Sequence, residues 1–254
     1  MIPKIIHYCW FGGNPLPESA KKCIASWRKF LPDYEIKEWN ESNFDVNSIP
    51  YTAEAYKAKK YAFVSDYARF YILYKYGGLY FDTDVEVIHS MDDIVARGNF
   101  MGFESDISGK MFQPGYEKAN HPNAINPGLG LGVSPGLNII GEILKDFEHD
   151  HLYKLDGSMG QTIVYRTTRF VLKDKISDLG NGVYKCGEIF IYATDYFCPK
   201  DYITGELHLT PRTRSIHQYS ATWVNEKKTI ISKISRRLHA ILYHLYGSLR
   251  LYKF

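Results

Sequence analysis

Residues 62–88, AFVSDYARFYILYKYGGLYFDTDVEVI, constrain this chain more than any other stretch. Phe63, Tyr67, Phe70 and Tyr74 recur at helical spacing and predict an amphipathic α-helix with one apolar face. Gly77 and Gly78 stop it, because glycine takes the left-handed position past a helix end without steric cost. Leu79, Tyr80 and Phe81 then read as a short buried strand that runs out into Asp82 and Asp84. Residues i and i+2 of a strand project to the same face, so the two carboxylates are expected to converge on one point. Two hard oxygen donors side by side make a seat for Mg²⁺ or Mn²⁺. Those ions commonly share their coordination shell with substrate phosphates, so the pair points to a phosphate-bearing substrate rather than a structural ion.

Asp66 and Arg69 lie three apart on the helix that feeds this strand, and side chains at that spacing are neighbours. One reading is a surface ion pair worth roughly 0.2–0.5 kcal/mol. The other is a pair facing a ligand cleft, which suits a helix so rich in aromatics that most of it must be covered.

Ser65-Asp66, Arg69, Gly77-Gly78-Leu79-Tyr80 and Asp82-Thr83-Asp84 resemble the signature of the DXD sugar-binding glycosyltransferases of family 32, which also embraces the catalytic domains of the large glucosylating toxins. Residues 2–13 (IPKIIHYCWFGG) and 216–223 (IHQYSATW) resemble the two other blocks of that family, in the same order along the chain. The resemblance implies an α/β fold of the GT-A type, a Rossmann-like, mostly parallel sheet flanked by helices. It implies a nucleotide-sugar donor, a UDP-sugar, with Trp10 stacked on the uracil; a core tryptophan is the competing role for Trp10. It implies Mn²⁺ (or Mg²⁺) on Asp82 and Asp84, with His217 as a third metal or phosphate ligand. Ser220 and Trp223 would donate to the diphosphate through hydroxyl and indole N–H, and Asp66 and Arg69 would hold sugar hydroxyls. Retention of anomeric configuration is implied too, with a phosphate oxygen taking the acceptor's proton and no protein general base named.

The pattern around these blocks is that of one α/β domain. Residues 2–10 are apolar and β-prone, Gly12, Gly13 and Pro15 break them, and Ala20, Ile24, Trp27 and Phe30 follow helical spacing. Residues 34–39 read as a second strand. A β-α-β beginning favours an open sheet whose ligand site lies beyond the carboxyl ends of its strands. Residues 99–103 predict another strand, and 105–127 a polar loop over the site. Residues 128–133 alternate glycine with aliphatics, leaving one face as bare backbone for close approach by a ligand or another segment. Ser134-Pro135 reads as a helix cap and first turn, followed by a helix buried through Leu137, Ile140, Leu144 and Phe147. A helix over 160–172 and strands over 187–193 and 215–219 complete a domain of residues 1–226.

Residues 227–254 are a different object. They hold seven of the 31 basic side chains and none of the 28 acidic ones, so the body is mildly acidic and the tail strongly basic. Ile230, Ile231, Ile234, Leu238, Ile241, Leu242 and Leu245 share one helical stripe, a basic amphipathic helix that either packs on the core or contacts an anionic cytoplasmic leaflet. The rest of the surface is not basic, which argues against nucleic acid. No apolar run reaches the roughly 18 residues of a membrane span. The N-terminus lacks the apolar core of a signal peptide, and Cys9, Cys23, Cys186 and Cys198 show no metal-site spacing, so a cytoplasmic protein with reduced thiols is expected.

The function this supports is a metal-dependent retaining glycosyltransferase acting on a glycan or lipid-linked oligosaccharide, in the setting of bacterial capsule, exopolysaccharide or lipopolysaccharide synthesis. One rival is a metal-dependent phosphohydrolase with an aspartyl nucleophile, although its DxDx motif continues with Thr or Val where this chain has Glu86. The other is a non-catalytic, membrane-docked binding protein.

Overall fold

The computed structural model describes residues 1–104, 124–154, 156–201 and 205–220. In chain order its elements are β1 (Ile5–Cys9), α1 (Glu18–Phe30), β2 (Glu35–Trp39), α2 (Pro50–Lys57), α3 (Tyr61–Tyr76), β3 (Gly78–Tyr80), β4 (Val85–Val87), α4 (Asp92–Arg97) and β5 (Phe100–Glu104). After these come β6 (Ala124–Ile125), β7 (Leu131–Val133), α5 (Asn138–Phe147), α6 (Ile163–Val171), β8 (Ser177–Asp178), β9 (Val183–Cys186), β10 (Ile189–Tyr192), α7 (Thr194–Phe197) and β11 (Ser215–His217).

The central sheet has the order β2-β1-β3-β7-β5-β10-β9-β8, with β6 also on β5. The α/β class is the one expected, and β2, β1, β3, β5 and β10 all run one way. The sheet is mixed nonetheless, because β7 lies antiparallel between β3 and β5. β6 and β7 follow the same line along β5, but Ile125 pairs with Phe103 and Gly132 with Phe100, so the six residues between them on one side face two on the other. The excess forms a large bulge at residues 126–130.

The chain leaves β1, returns as β2 on one flank, and returns as β3 on the other. The carboxyl ends of β1 and β3 therefore meet where the strand order reverses, the place at which open α/β sheets bind ligands. Trp10 follows β1 there, and Asp82 follows β3.

Each face of the sheet carries its own apolar layer. One includes Trp27 of α1, with 0% of its surface exposed and its indole N–H donating to the Val85 carbonyl at 2.7 Å. The other is built on α3 and α5. The stripe expected on α3 is only half right: Tyr67 and Phe70 are buried, Phe63 is half-buried, and Tyr74 is 41% exposed. Val64, Ala68, Ile72 and Leu73 are buried as well, because α3 packs against β1, α2 and α5 together and is covered on more than one side.

Ser134 does not cap a helix. Its N–H and hydroxyl both donate to Asn99 Oδ1, and α5 starts later, at Asn138, after a turn through Gly136 at φ +73°. The helix expected over 160–172 is α6, capped by the Thr162 hydroxyl, which accepts from the Tyr165 N–H. No helix among the described residues is long and apolar enough to cross a membrane. The loop expected over 105–127 falls mostly outside the described residues, as do Trp223 and the whole tail, 227–254.

Candidate active site

Asp82 and Asp84 converge, but strand alternation is not what brings them together. β3 ends at Tyr80, and residues 82–85 turn, with the Val85 N–H donating to the Asp82 carbonyl at 3.0 Å. After the turn, β4 pairs antiparallel with β11, setting His217 opposite Val85. One ligand atom from each of Asp82, Asp84 and His217 lies within 4.8 Å of the others. The convergence expected from strand spacing is therefore present, but a turn and not strand alternation produces it. The third member arrives across the small sheet from the far end of the chain.

Asp84 is tightly held. Its side chain is 17% exposed, with Oδ1 at 3.2 Å from His217 Nε2 and Oδ2 accepting the Ser220 N–H at 2.8 Å. The Gln218 N–H donates to its carbonyl at 2.9 Å. Burial alone would raise the carboxyl's pKa, yet His217 and the Ser220 amide outweigh it and hold Asp84 below the usual carboxylate range. For His217 burial works against the charged ring, and the facing Asp84 overcomes it, pushing the imidazole up to about 9. Nδ1 of His217 is buried with no hydrogen-bond partner.

Asp82 is more open, at 31% side-chain exposure. Its Oδ1 accepts from the Tyr80 hydroxyl at 3.2 Å and lies 3.4 Å from Arg69 Nη1. On its other side a Cβ added to Gly128 would sit 2.0 Å from Oδ2, so the bare backbone read from the glycine alternation accommodates a carboxylate of the site itself.

The surface reading of Asp66 and Arg69 is excluded. Their side chains are 12% and 5% exposed, Arg69 Nη2 donates to Asp66 Oδ1 at 2.8 Å, and Nε donates to the Ser65 carbonyl at 3.1 Å. The guanidinium lies 4.8 Å over the Tyr80 ring. Burial pushes the Asp66 carboxyl up to about 6 against the pull of Arg69. Desolvation works against the Arg69 charge, but Asp82, Tyr80 and Asp66 more than restore it, so a buried cation stands directly behind Asp82. Nη1, aimed at that carboxylate, makes no hydrogen bond.

Trp10 is half-buried, its indole N–H donating to the Asn14 carbonyl at 2.6 Å, so it is neither a fully covered core residue nor a free ring. Ser220 meets the cluster through its backbone N–H. Sequence reading singled out neither Tyr80 nor Glu104, whose carboxylate takes part in the hydrogen bonding behind the cluster. Tyr80 stood inside the recognised motif; nothing local marked Glu104.

Two carboxylates and an imidazole at mutual reach form a mixed oxygen and nitrogen donor set of the kind that divalent metals take. The arrangement fits a divalent cation and, beside a buried arginine, a ligand carrying concentrated negative charge.

The family described as "Glycosyltransferase sugar-binding region containing DXD motif" matches residues 17–101, which hold Asp66, Arg69, Asp82 and Asp84 but neither Trp10 nor His217. Inositol phosphoceramide mannosyltransferase 3 of Schizosaccharomyces pombe is 35% identical over 98 residues, covering 37% of this chain and 27% of that protein. An uncharacterized glycosyltransferase of Acanthamoeba polyphaga mimivirus is 33% identical over 106 residues, 39% of this chain and 42% of its own. The chain spans less than half the length of these curated relatives, which are fungal and viral rather than bacterial capsule proteins. A solved structure titled PaToxG glycosyltransferase aligns over 66% of this chain and 69% of its own, at 18% identity and a TM-score of 0.45. Residues 17–101, with both aspartates of the motif, are thus similar to the glycosyltransferases whose sugar-binding region contains a DXD motif.

Proposed function

We propose that the chain transfers a sugar from a nucleotide-sugar, a UDP-sugar, to a hydroxyl of a glycan or lipid-linked glycan, with Mn²⁺ (or Mg²⁺) held by Asp82, Asp84 and His217. The observation that carries this reading is the meeting of those three side chains within 4.8 Å, beside the buried Arg69 and Asp66.

The chemical difficulty is breaking a bond to a diphosphate while negative charge builds on it. A bound divalent cation neutralises that developing charge. The protein's own share is pre-organisation. Ser220 N–H and His217 fix Asp84, while Arg69, Tyr80 and Gly128 fix Asp82, so no carboxylate has to reorient when charge develops. Asp66 and Arg69 would hold donor-sugar hydroxyls and orient the anomeric carbon. Trp10, at the end of the neighbouring strand, would take the base. Trp223 and the Ser220 hydroxyl would donate to the diphosphate. Same-face attack with a phosphate oxygen as proton acceptor suits a site for which no separate protein base is named.

A fungal relative is named for mannosyl transfer to inositol phosphoceramide, and a lipid-borne hydroxyl also suits a chain whose tail is basic and amphipathic. A bacterial surface-polysaccharide setting rests on sequence resemblance and that tail alone.

The test is a panel of nucleotide sugars incubated with the chain and Mn²⁺, without acceptor. Slow release of one nucleoside diphosphate that stops on chelation is the expected result. Release of inorganic phosphate instead would favour the phosphohydrolase, and no metal-dependent turnover or binding of any donor would leave the non-catalytic reading standing.

A further inference from the structure

We infer that Glu104 is a positioning residue that sets the two halves of the Asp82–Asp84–His217 cluster relative to each other; the inference rests on reading that cluster as a cation site. Glu104 closes β5 and is half-buried. Its Oε1 accepts two hydrogen bonds, from the Tyr219 hydroxyl at 3.2 Å and from Asn126 Nδ2 at 3.1 Å. Each donor begins an arm that ends on one half of the cluster.

The first arm runs through Tyr219 to Asp84 and His217. Tyr219 has φ +52°, in the left-handed region that side chains other than glycine's rarely adopt. That turn lets the amides on either side, Gln218 N–H and Ser220 N–H, both donate to Asp84, at 2.9 and 2.8 Å. The Tyr219 ring stands edge-on to His217, with centroids 4.3 Å apart at 87°. Its hydroxyl also lies 2.8 Å from Cys198 Sγ. A backbone in a disfavoured region persists only where its surroundings over-determine it. Here the anchored phenol supplies that restraint, and Glu104 supplies a charged acceptor for the anchor.

The second arm runs through the bulge at 126–130 to Asp82. Asn126 Oδ1 accepts the Gly128 N–H at 2.7 Å, and the Gly128 carbonyl accepts the Asp82 N–H at 3.1 Å. The Asp82 carboxylate rests in the space a Cβ on Gly128 would fill. One carboxylate oxygen thus governs the spacing between the open aspartate on one side and the aspartate–histidine pair on the other.

Mn²⁺ alone is the probe, titrated into the purified chain by calorimetry. Glu104→Ala cuts both arms and is expected to weaken Mn²⁺ binding by roughly ten- to a hundredfold, the range for losing outer-shell support of a metal site. Glu104→Gln keeps an oxygen acceptor and should bind within a few-fold of wild type. Tyr219→Phe cuts one arm and should fall between, and adding it to Glu104→Ala should cost far less than it does alone. Wild-type affinity in Glu104→Ala, or losses that simply multiply in the double variant, would overturn the inference. Should Glu104→Ala not fold, the contrast between Tyr219→Phe and Glu104→Gln decides by the same criterion. Crystal structures of the metal-free variants give a readout that does not depend on the cation. Asp82 and His217 should change their separation in Glu104→Ala, and an unmoved pair refutes the inference. A wild-type chain that takes up no Mn²⁺ removes the cation reading, and the crystal comparison alone then judges Glu104.

Discussion

Ser220 donates its backbone N–H to Asp84 Oδ2 at 2.8 Å, joining two residues 136 positions apart, while His217 Nε2 sits 3.2 Å from the other oxygen of the same carboxylate. Both oxygens of Asp84 are therefore oriented by the last described segment of the chain, and the second half of the DXD motif is only as well placed as that segment. Asp84→Asn keeps the shape and one acceptor but loses the charge that balances His217 and would attract a cation. Turnover with the productive donor should fall by roughly a hundredfold or more, the cost of removing one electrostatic stabiliser from an active site. Circular dichroism should be unchanged. A variant that keeps wild-type turnover would remove the electrostatic role given to Asp84.

Gly128 offers a substitution aimed at the other aspartate. Its backbone is outside the left-handed region, so alanine is tolerated there conformationally, but the added methyl would lie 2.0 Å from Asp82 Oδ2 and the carboxylate has to move. Gly128→Ala should raise the Mn²⁺ concentration needed for half-maximal turnover by roughly tenfold, as a shifted metal ligand does. Gly136→Ala is the control. Nothing lies within 4 Å of its Cβ position, but φ is +73°, so it should cost about 1 kcal/mol of stability and leave metal dependence alone. Equal metal dependence in the two variants would contradict the account.

What was legible in the sequence follows a physical boundary. Asp82, Asp84, Asp66 and Arg69 sit within a helix–glycine–strand unit of under thirty residues, and local periodicity is enough to bring them near one another. The bare face of residues 128–133 was legible as well, because alternating glycine has few other uses; the sequence could not say that Asp82 and Phe100 fill it. Glu104 and Tyr219 were not legible: their roles depend on pairings 115 residues apart and on a left-handed φ at a tyrosine, which no local pattern encodes. Ser134 failed as a cap for a similar reason, since Asn99, brought beside it by the sheet, competes for its N–H and hydroxyl.

The tail, 227–254, yields a prediction from sequence alone. With seven basic side chains and no acidic ones, it should draw the chain onto vesicles containing anionic lipid, at about 1 kcal/mol per basic residue near the surface. A chain ending at residue 226 should stay in the supernatant when such vesicles are sedimented, while the full chain pellets at low salt and is released by high salt. Equal sedimentation of both would assign the tail to packing on the core.

His7 supplies a prediction about stability that is independent of the site. It is 1% exposed, and both ring nitrogens are committed: Nε2–H donates to the Gly77 carbonyl at 2.9 Å, and Nδ1 accepts from Trp39 Nε1–H at 3.0 Å. A proton on Nδ1 would face another donor with no acceptor between them. Burial, partly offset by the Gly77 carbonyl and aided by Lys37, accordingly pushes the imidazole down to about 4. The unfolded chain takes up this proton near the ordinary value of about 6.5, so between about 6.5 and about 4 the unfolded state binds more protons than the native one. His7 thus costs nothing above about pH 6.5, and native stability falls as pH drops through the window, by at most about 3 kcal/mol. Buried carboxylates add their own dependence over part of that range, so the comparison that isolates His7 is with His7→Gln, whose amide can donate to Gly77 and accept from Trp39 without titrating. Urea midpoints measured from pH 7 to pH 4.5 should decline more steeply for wild type than for the variant. Parallel curves would mean that the ring takes its proton without leaving its pocket.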